Sequence, residues 1–468
     1  MSISGSLSNA LSGLSISGRH AQVVSQNIAN AQTEGYSRRS LATSSGWGGV
    51  KADGIVRSID RGLVSDRRLA ESQLSADQRT ADMLARIEGI IGVPGEGDSL
   101  VSRITTLDTA LIAASSDPAS TQRLVAVNDA LGGLTRFLNN ATDNIQSLRQ
   151  DADQAIARDV DMLNTSLQRV EQLNANISRT RAAGQDVSDL QDMRKQVIDD
   201  ISGIVPLRQF IRENDQIALM STSGQVLIDG RAAKFTFDAT PTITAEMSLA
   251  SGGLSGISIN GDPLDANDGF GRLTGGSLAA SFMLRDDELT QAQNGIDQVA
   301  FDFITRFSDP DIDPTVGAAG ILTDAGNPAD PLTFNGVAGR IKVNARVDPS
   351  QGGDVILLRD GIGATTSGPV GRSEQLDRWR DAITIFGGSS MIDNAAQVSS
   401  QISGQRVQAD GALSFSSSRW DGLHNAELAN GVDSDAELQR LLLVEQAYAA
   451  NARVIQAANS MMQRLMEI

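Results

Sequence analysis

The chain ends in a segment whose apolar and small residues recur at alternating spacings of three and four. This is the a/d pattern of a coiled-coil helix with one committed face. Ser434, with Glu437 three residues later, predicts a capping box that starts this helix. The positions of the pattern are Leu441, Val444, Tyr448, Asn451, Ile455, Ala458, Met462 and Leu465.

The other end of the chain carries a matching pattern. It runs through Ile3, Leu7, Ala10, Leu14, Ser17, Ala21, Val24, Ile28 and Ala31. On spacing alone, each segment could equally be an amphipathic helix lying on a globular core. Arg19 and His20 are the only ionisable side chains between Met1 and Thr33, however, so this helix is expected to have protein on most sides. We therefore predict that residues 1–33 and 434–468 pair as a terminal coiled-coil assembly domain.

Long heptads also fill the middle of the chain. Asp117-Pro118 predicts the start of a helix that reaches Arg181, and Ser188 predicts a return helix to Ile204. The apolar seam of the long helix shifts by one residue after Ala152, which predicts a stutter. Further helices are predicted at 69–91, 100–114, 278–307, 374–385 and 391–428. An inner helical bundle domain is expected from 34–203, 271–308 and 371–433.

Alternating patterns and frequent Gly, Thr and Asp predict β structure in two regions. Strands are predicted at 217–220, 226–228, 235–237 and 257–259, then at 341–347 and 355–358, with a lone strand at 50–59. We expect 204–270 and 309–370 to form a distal β-rich insertion. The predicted fold class is mainly α with β insertions: an elongated rod with paired terminal helices, an inner bundle and a distal β domain.

The composition of the chain argues against several classes of function. The chain has no cysteine and two histidines, and its 57 acidic and 39 basic side chains give a formal charge of −18. This charge disfavours nucleic acid as a partner. No secretory signal peptide or membrane-spanning run is visible, which predicts no membrane insertion. Asp309-x-Asp311-x-Asp313 begins like a calcium loop, but Pro314 stands where Gly is required. We predict no enzyme and no catalytic, cofactor-binding or metal-binding residues.

Two stretches carry a family resemblance. Residues 27–38, Asn-Ile-Ala-Asn-Ala-Gln-Thr-Glu-Gly-Tyr-Ser-Arg, and 446–459, Gln-Ala-Tyr-Ala-Ala-Asn-Ala-Arg-Val-Ile-Gln-Ala-Ala-Asn, resemble the two terminal signatures of bacterial flagellar rod, hook and hook-associated proteins. The long central helices favour the hook-associated members. Glu34, where Pro is usual, and Leu443-Val444-Glu445 depart from the pattern. The implied assembly residues are Ile3, Leu7, Leu14, Val24, Asn27, Ile28, Asn30, Thr33, Gly35 and Tyr36, with Leu441, Val444, Gln446, Tyr448, Asn451, Ile455, Ala458, Asn459, Met462 and Leu465.

The resemblance implies a structural adaptor of the flagellum, used in motility, that polymerises at the junction of hook and filament. Its implied partners are further copies in a ring, the hook protein, a second hook-associated junction protein and a cytoplasmic export chaperone. The implied location is the flagellum, after type III export from the cytoplasm. Another axial protein such as the hook protein, or an exported enzyme or adhesin carried on the β insertion, remains an alternative. Residues 1–33 and 440–468 are predicted to be largely disordered in the free monomer.

Overall fold

The computed structural model describes residues 3–33, 35–93, 95–264 and 269–466. Helices account for 63% of the chain and the sheets are small, which confirms the mainly-α class with β insertions. The helices are α1 (Ile3–Ala29), α2 (Arg61–Ile91), α3 (Leu100–Ser116), α4 (Thr121–Ala182), α5 (Ser188–Ile204), α6 (Gly276–Met283), α7 (Leu289–Phe307), α8 (Val337–Arg340), α9 (Leu357–Asp360), α10 (Glu374–Thr384), α11 (Met391–Ala429) and α12 (Ser434–Met466).

The strands form four antiparallel sheets. They are β1 (Arg39–Gly46), β2 (Gly49–Arg57), β3 (Leu207–Ile211), β4 (Ile217–Ser221), β5 (Val226–Asp229), β6 (Arg231–Ala232), β7 (Phe235–Thr236), β8 (Ser258–Ile259), β9 (Asp262–Pro263), β10 (Leu322–Asp324) and β11 (Ile341–Val343). The β3-β4-β5-β6 and β7-β8-β9 sheets follow one another along the chain. Within the described residues, no helix combines the length and apolar content needed to cross a membrane.

The long helix α4 runs along the whole inner part of the molecule. Its 62 residues span about 90 Å at roughly 1.5 Å per residue. Its predicted seam is buried along its length, from Leu124 to Ile177. The helix begins at Thr121, after a turn that holds Asp117-Pro118, and Ser120 is its N-cap. The predicted start was therefore early, because an Asp-Pro pair fits a turn between two helices as well as a helix start.

The helix α4 contributes to two separate apolar cores, one along each half of its length. The first reaches from the start of α4 to Ala152 and includes α3, α7 and α10. The second begins at Ile156 and includes α5, α6 and the β3-β4-β5 strands. The boundary lies at the predicted stutter, where the face of α4 that meets its neighbours changes.

A fully buried polar layer separates the two cores. Arg285 Nη1 lies 2.6 Å from Asp153 Oδ1, and neither side chain is exposed. Arg149 on α4 donates to the main-chain carbonyls of Arg285, Thr244 and Met247. A single π-helical turn between α6 and α7, Leu284–Glu288, carries Arg285 into this layer. A buried ion pair with its hydrogen bonds satisfied favours one register over the alternatives, so the layer fixes how α4 meets the α6–α7 segment.

The predicted distal β domain of 204–270 with 309–370 is wrong in two respects. The β3-β4-β5 strands build no core of their own, because Leu219 and Ile228 pack into the second core beside Ile156 and Leu163 of α4. The second region, 309–370, belongs to the first core, into which Ile312, Ile321, Val337 and Leu358 are buried. Residues 355–358 form a turn and the first half of α9 rather than a strand. Scattered apolar residues in a Gly-rich segment can fill a neighbouring core without forming strands.

The lone strand predicted at 50–59 is one half of a hairpin. β1 pairs with β2 from Arg39 opposite Arg57 to Gly46 opposite Gly49, with an irregularity after Ala42. The hairpin lies along α1. Ser8 Oγ donates to the carbonyl of Gly48 at 3.2 Å, and Ser12 Oγ accepts from Val50 N at 3.2 Å. Residues 39–57 therefore accompany the terminal helices, whereas the sequence had placed them in the inner bundle.

Candidate functional site: the paired termini

The two terminal helices, α1 and α12, pack against each other in antiparallel directions. Near the middle of α1, a Cβ added to Gly13 would lie 2.7 Å from the side-chain amide of Asn451. At the end of α1, Asn27 contacts Glu437 near the start of α12. One residue number rises between these two contacts while the other falls. The two helices are close at Gly13, where a larger side chain would displace Asn451.

A polar cluster joins the base of this helix pair to the loop that follows α1. We call this cluster, made of Asn27, Tyr36, Arg38, Arg39 and Glu437, the terminal junction. Asn27 is fully buried. Its Nδ2 donates to the Arg39 carbonyl at 2.9 Å and to Glu437 Oε2 at 3.0 Å. Its Oδ1 accepts from Arg39 N at 3.0 Å and from the Tyr36 hydroxyl at 2.9 Å. An amide is therefore suited to this position, because it offers two donors and two acceptor sites on one planar group.

Glu437 provides the contribution of α12 to the terminal junction. Its carboxylate is almost completely buried, and Oε1 accepts from Arg38 Nε at 2.9 Å and from Arg440. The predicted capping box is therefore wrong, since Glu437 does not reach back along its own helix. Asp433 Oδ1 caps α12 instead, accepting from the main-chain N–H groups of Asp435 and Ala436.

The terminal junction is tied to the inner bundle through α5. Arg39 Nη2 lies 2.6 Å from Asp189 and 2.9 Å from Asp192, and Arg57 Nη2 lies 2.5 Å from the other oxygen of Asp192. The Arg39 guanidinium also lies over the Tyr36 ring, 4.7 Å from its centroid. Burial raises the pKa of Tyr36 above its ordinary value of 10.0, which keeps the hydroxyl protonated as the donor to Asn27.

A second charged cluster, which we call the α2–α5–α11 network, lies next to the terminal junction. Asp199 on α5 lies 2.6 Å from both Arg67 and Arg68 of α2. Glu427 on α11 lies 2.6 Å from Arg67 and 2.8 Å from Lys195. Burial would raise the pKa of both carboxyls, but the neighbouring cations outweigh burial and hold each pKa below its ordinary value. The end of α11 is thereby fixed just before α12 begins.

The predicted assembly residues differ in their exposure to solvent. Val24, Asn27 and Ala458 are buried; Ile3, Leu7, Leu14, Ile28, Asn30, Gly35, Tyr36, Leu441, Val444, Asn451 and Ile455 are half-buried; Thr33, Gln446, Tyr448, Asn459, Met462 and Leu465 are exposed. The predicted seam of α12 is thus covered, except at Tyr448, as far as Ala458, and is left open at Met462 and Leu465. Sequence reasoning missed Arg38, Arg39 and Glu437. The signal for Glu437 was its seam position, four residues before Leu441, where a carboxylate needs a buried partner.

A second row of apolar residues on α12 has no covering element among the described residues. Leu443, Val454, Met461 and Leu465 are 64%, 45%, 51% and 61% exposed. With 3.6 residues per turn, this row lies roughly a quarter turn from the face that meets α1. We call it the outer stripe; its members, spaced by three or four, are Leu443, Ala447, Ala450, Val454, Ala457, Met461 and Leu465.

Comparison with known protein families finds two matching models. The flagellar hook-associated protein FlgK helical domain matches residues 84–310, which contain α4 and the polar layer. The C-terminal model of the flagellar basal body rod FlgEFG proteins matches residues 429–468, which contain α12. Both matching models describe flagellar proteins, one hook-associated and the other of the basal body rod.

Two relatives of known name are both hook-associated proteins. The chain is 26% identical over 322 residues to flagellar hook-associated protein 1 of Salmonella typhimurium, covering 64% of this chain and 55% of that relative. It is 21% identical over 488 residues to flagellar hook-associated protein 1 of Bacillus subtilis, covering 94% and 93%. The match thus spans only about half the length of the Salmonella relative. The chain is thus similar, over its helical middle and its C-terminal helix, to flagellar hook-associated proteins of the FlgK type.

A solved structure, the flagellar hook junction protein FlgK from Burkholderia pseudomallei, overlaps with a TM-score of 0.47 at 18% identity. The overlap covers 56% of this chain and 47% of that one.

Proposed function

We propose that this protein is a structural adaptor that polymerises at the hook-filament junction of the bacterial flagellum and connects hook to filament. The names of its relatives support this role, and so do matches to both the inner helical domain and α12. The proposed role is mechanical and requires no catalysis. The matches do not favour a hook protein or an enzyme carried on the β strands.

The outer stripe is the observation that carries this proposal. A monomeric soluble protein rarely exposes a long contiguous apolar row, and such rows commonly mark protein–protein interfaces. Because the outer stripe has heptad-like spacing, its natural complement is a helix of similar pattern. A second copy of the chain, arranged around a ring, can supply such a helix.

The proposed partners follow from the same surface. Neighbouring subunits would cover the outer stripe within the ring, while the hook protein and a second hook-associated junction protein would bind the two sides of the ring. Before assembly the stripe needs another cover, which is the role we propose for a cytoplasmic export chaperone. The proposed location is the flagellum, reached by type III export.

We also propose a revised division of the chain. The assembly unit comprises residues 3–57 and 434–466, because the β1–β2 hairpin accompanies α1 and the terminal junction joins both ends. The second unit comprises the rest, with its two cores on either side of the polar layer. The terminal junction and the α2–α5–α11 network connect the two units.

The test is complementation of a strain that lacks this protein. Wild type should restore filaments, whereas Val454→Glu should give hooks without filaments and release flagellin into the medium, because a carboxylate cannot be buried unpaired in the ring. Gln456→Glu adds the same charge on the other side of α12 and should retain motility. Export of each variant is checked in the culture medium. Normal filaments on cells that export Val454→Glu would refute the role of the outer stripe.

A further inference from the structure

A cavity of about 500 Å³ lies where β2, α2, α5 and the β3–β4 strands meet. The charges on its wall are unusual for a chain with a net charge of −18. Its cationic lining residues are Arg57, Arg61, Arg68, Arg181, Arg194 and Lys195. Asp215 is the one acidic residue among the described residues that line it. The walls between these charges are apolar and include Ile55, Val64 and Ile198.

Two carboxylates at this cavity, Asp215 and Asp192, each have two arginine partners. Asp215 Oδ2 accepts from Gln191 at 2.5 Å and also lies 3.4 Å from Arg181 and 3.5 Å from Arg194. Asp192, just outside the wall, is divided between Arg39 and Arg57. Each carboxylate therefore serves two guanidinium groups.

Two arginines retain unused hydrogen-bonding capacity. The Nε of Arg57 is buried and has no acceptor. Arg61, at the start of α2, is exposed and makes no hydrogen bond or ion pair with the described part of the chain. The pKa of Arg194 is lowered to about 10, chiefly by burial, with the charges of Arg57 and Arg181 acting in the same direction and Asp215 opposing them.

Asp199 and Glu427 pair with Arg68 and Lys195 from outside the cavity wall. The excess positive charge of the lining therefore lies on the remaining arginines, three of which share Asp215 and Asp192.

We propose that this cavity binds carboxylate groups of an acidic protein segment supplied by another chain. Guanidinium groups bind carboxylates with paired, charge-assisted hydrogen bonds, and a partly apolar wall suits the hydrocarbon part of a Glu or Asp side chain. A bare inorganic anion would leave that apolar wall exposed to water. The cavity volume is sufficient for a few side chains rather than for a folded domain.

This inference does not rest on the proposed role at the hook-filament junction. The cavity lies on the inner side of the terminal junction, away from the outer stripe, and its test uses purified full-length protein. A failure of binding would leave the filament experiment unaffected. A failure of filament assembly would likewise leave the binding result intact.

The test is calorimetric titration of the full-length protein with a hexaglutamate peptide and, separately, with citrate at matched ionic strength. Hexaglutamate should bind more tightly than citrate, and hexaglutamine should give no binding. Arg61→Gln should weaken hexaglutamate binding about tenfold, the loss expected for one charge-assisted hydrogen bond. Arg61 has no partner to lose, so this variant should fold normally.

Arg231→Gln is the matched control, because Arg231 is an exposed arginine on β6 outside the cavity. It should change the affinity less than twofold. The absence of hexaglutamate binding to wild type would overturn the proposal, as would equal effects of the two substitutions. Binding of citrate without binding of the peptide would overturn the assignment to a protein segment.

Discussion

The central helix α4 and the terminal helix α12 carry the same kind of heptad pattern but differ in how much of it is buried. On α4, the seam from Leu124 to Ile177 is buried by neighbours from the same chain. On α12, the buried residues are Glu437 and Ala458. Heptad spacing thus predicts the helix and its apolar face, whereas the supply of neighbouring elements decides whether that face is covered. The inner bundle is covered by elements of its own chain, and we propose that the terminal pair is completed only in an assembly.

A second contrast lies within the terminal pair itself. Its base is fixed by the terminal junction, in which Asn27 and Glu437 are buried and hydrogen-bonded. Towards its far end, Met462 and Leu465 are exposed. Order in the pair should therefore decrease from the terminal junction towards Ile3 and Met466.

Deleting residues 434–468 tests the contrast most severely. The inner bundle should remain soluble and helical with an almost unchanged thermal midpoint, because its two cores contain no residue of α12. Assembly into filament-bearing flagella should be lost completely. Circular dichroism and electron microscopy of complemented cells measure the two outcomes. Aggregation, or loss of more helix than α1 and α12 together contain, would contradict an independent inner bundle.

Matched leucine truncations compare the two helices directly. Leu163→Ala on α4 should lower the free energy of unfolding by about 2–5 kcal/mol, because it leaves a cavity in a closed core. Leu441→Ala on α12 should lower it by less than about 1 kcal/mol in the monomer, since that side chain is only half-covered. Urea unfolding of both variants gives the comparison. Equal losses would mean that the terminal pair is as complete as the inner bundle.

Acid should weaken the α2–α5–α11 network selectively. The folded-state pKa of Asp199 lies below its ordinary value, so its stabilising effect is present above the ordinary carboxyl range and is lost as pH falls through the folded-state pKa. The difference in unfolding free energy between wild type and Asp199→Asn should therefore be largest near neutral pH and shrink below about pH 4.

The control for the acid experiment is Asp410→Asn, at a half-exposed i,i+4 pair with Arg406 on α11. Such a pair contributes little, so its small difference from wild type should hardly vary with pH. A difference for Asp199→Asn that stays constant down to pH 3 would argue against ionic docking of α11.

The smallest effect is expected at Gly13. Gly13→Ala adds a Cβ that meets the flexible amide of Asn451, while replacing Gly inside a helix by Ala favours the helix by about 1 kcal/mol. Monomer stability should change by no more than about 1 kcal/mol, but assembly should be slower because the helices are pushed apart. Gly18→Ala is the control, since its added Cβ meets no neighbour. Faster assembly of Gly13→Ala than of Gly18→Ala would contradict close packing at Gly13.

Periodicity was sufficient to predict the regular helices of this fold. The end of α4 at Ala182, the return helix α5 and the strands near 217–220 and 226–228 follow from spacing and turn residues. The role of 309–370 could not be predicted, because its apolar residues have no regular spacing and their partners are distant in sequence. The outer stripe was missed because three of its seven positions are alanine, which a search for large apolar residues passes over.

The terminal junction was only half predictable. The resemblance pointed to Asn27 and Tyr36. Of the two other residues that hydrogen-bond to Asn27, Arg39 lies just beyond the signature and Glu437 lies at the other end of the chain. A carboxylate at an a/d position, such as Glu437, indicates that it has a buried hydrogen-bond or ionic partner, but the sequence does not say which residue that partner is. Which arginine it meets depends on how the loop after α1 folds back, and this becomes visible only in three dimensions.

The central claim is that the inner bundle is complete in the monomer and the terminal pair is not. Amide hydrogen exchange on the purified monomer tests it most directly, because protection reports local opening residue by residue. We predict strong protection along α4 from Leu124 to Ile177, weak protection at Leu441 to Leu465, and a gain of protection in the latter segment on polymerisation. Strong protection at Leu441 to Leu465 in a protein shown to be monomeric would contradict the account.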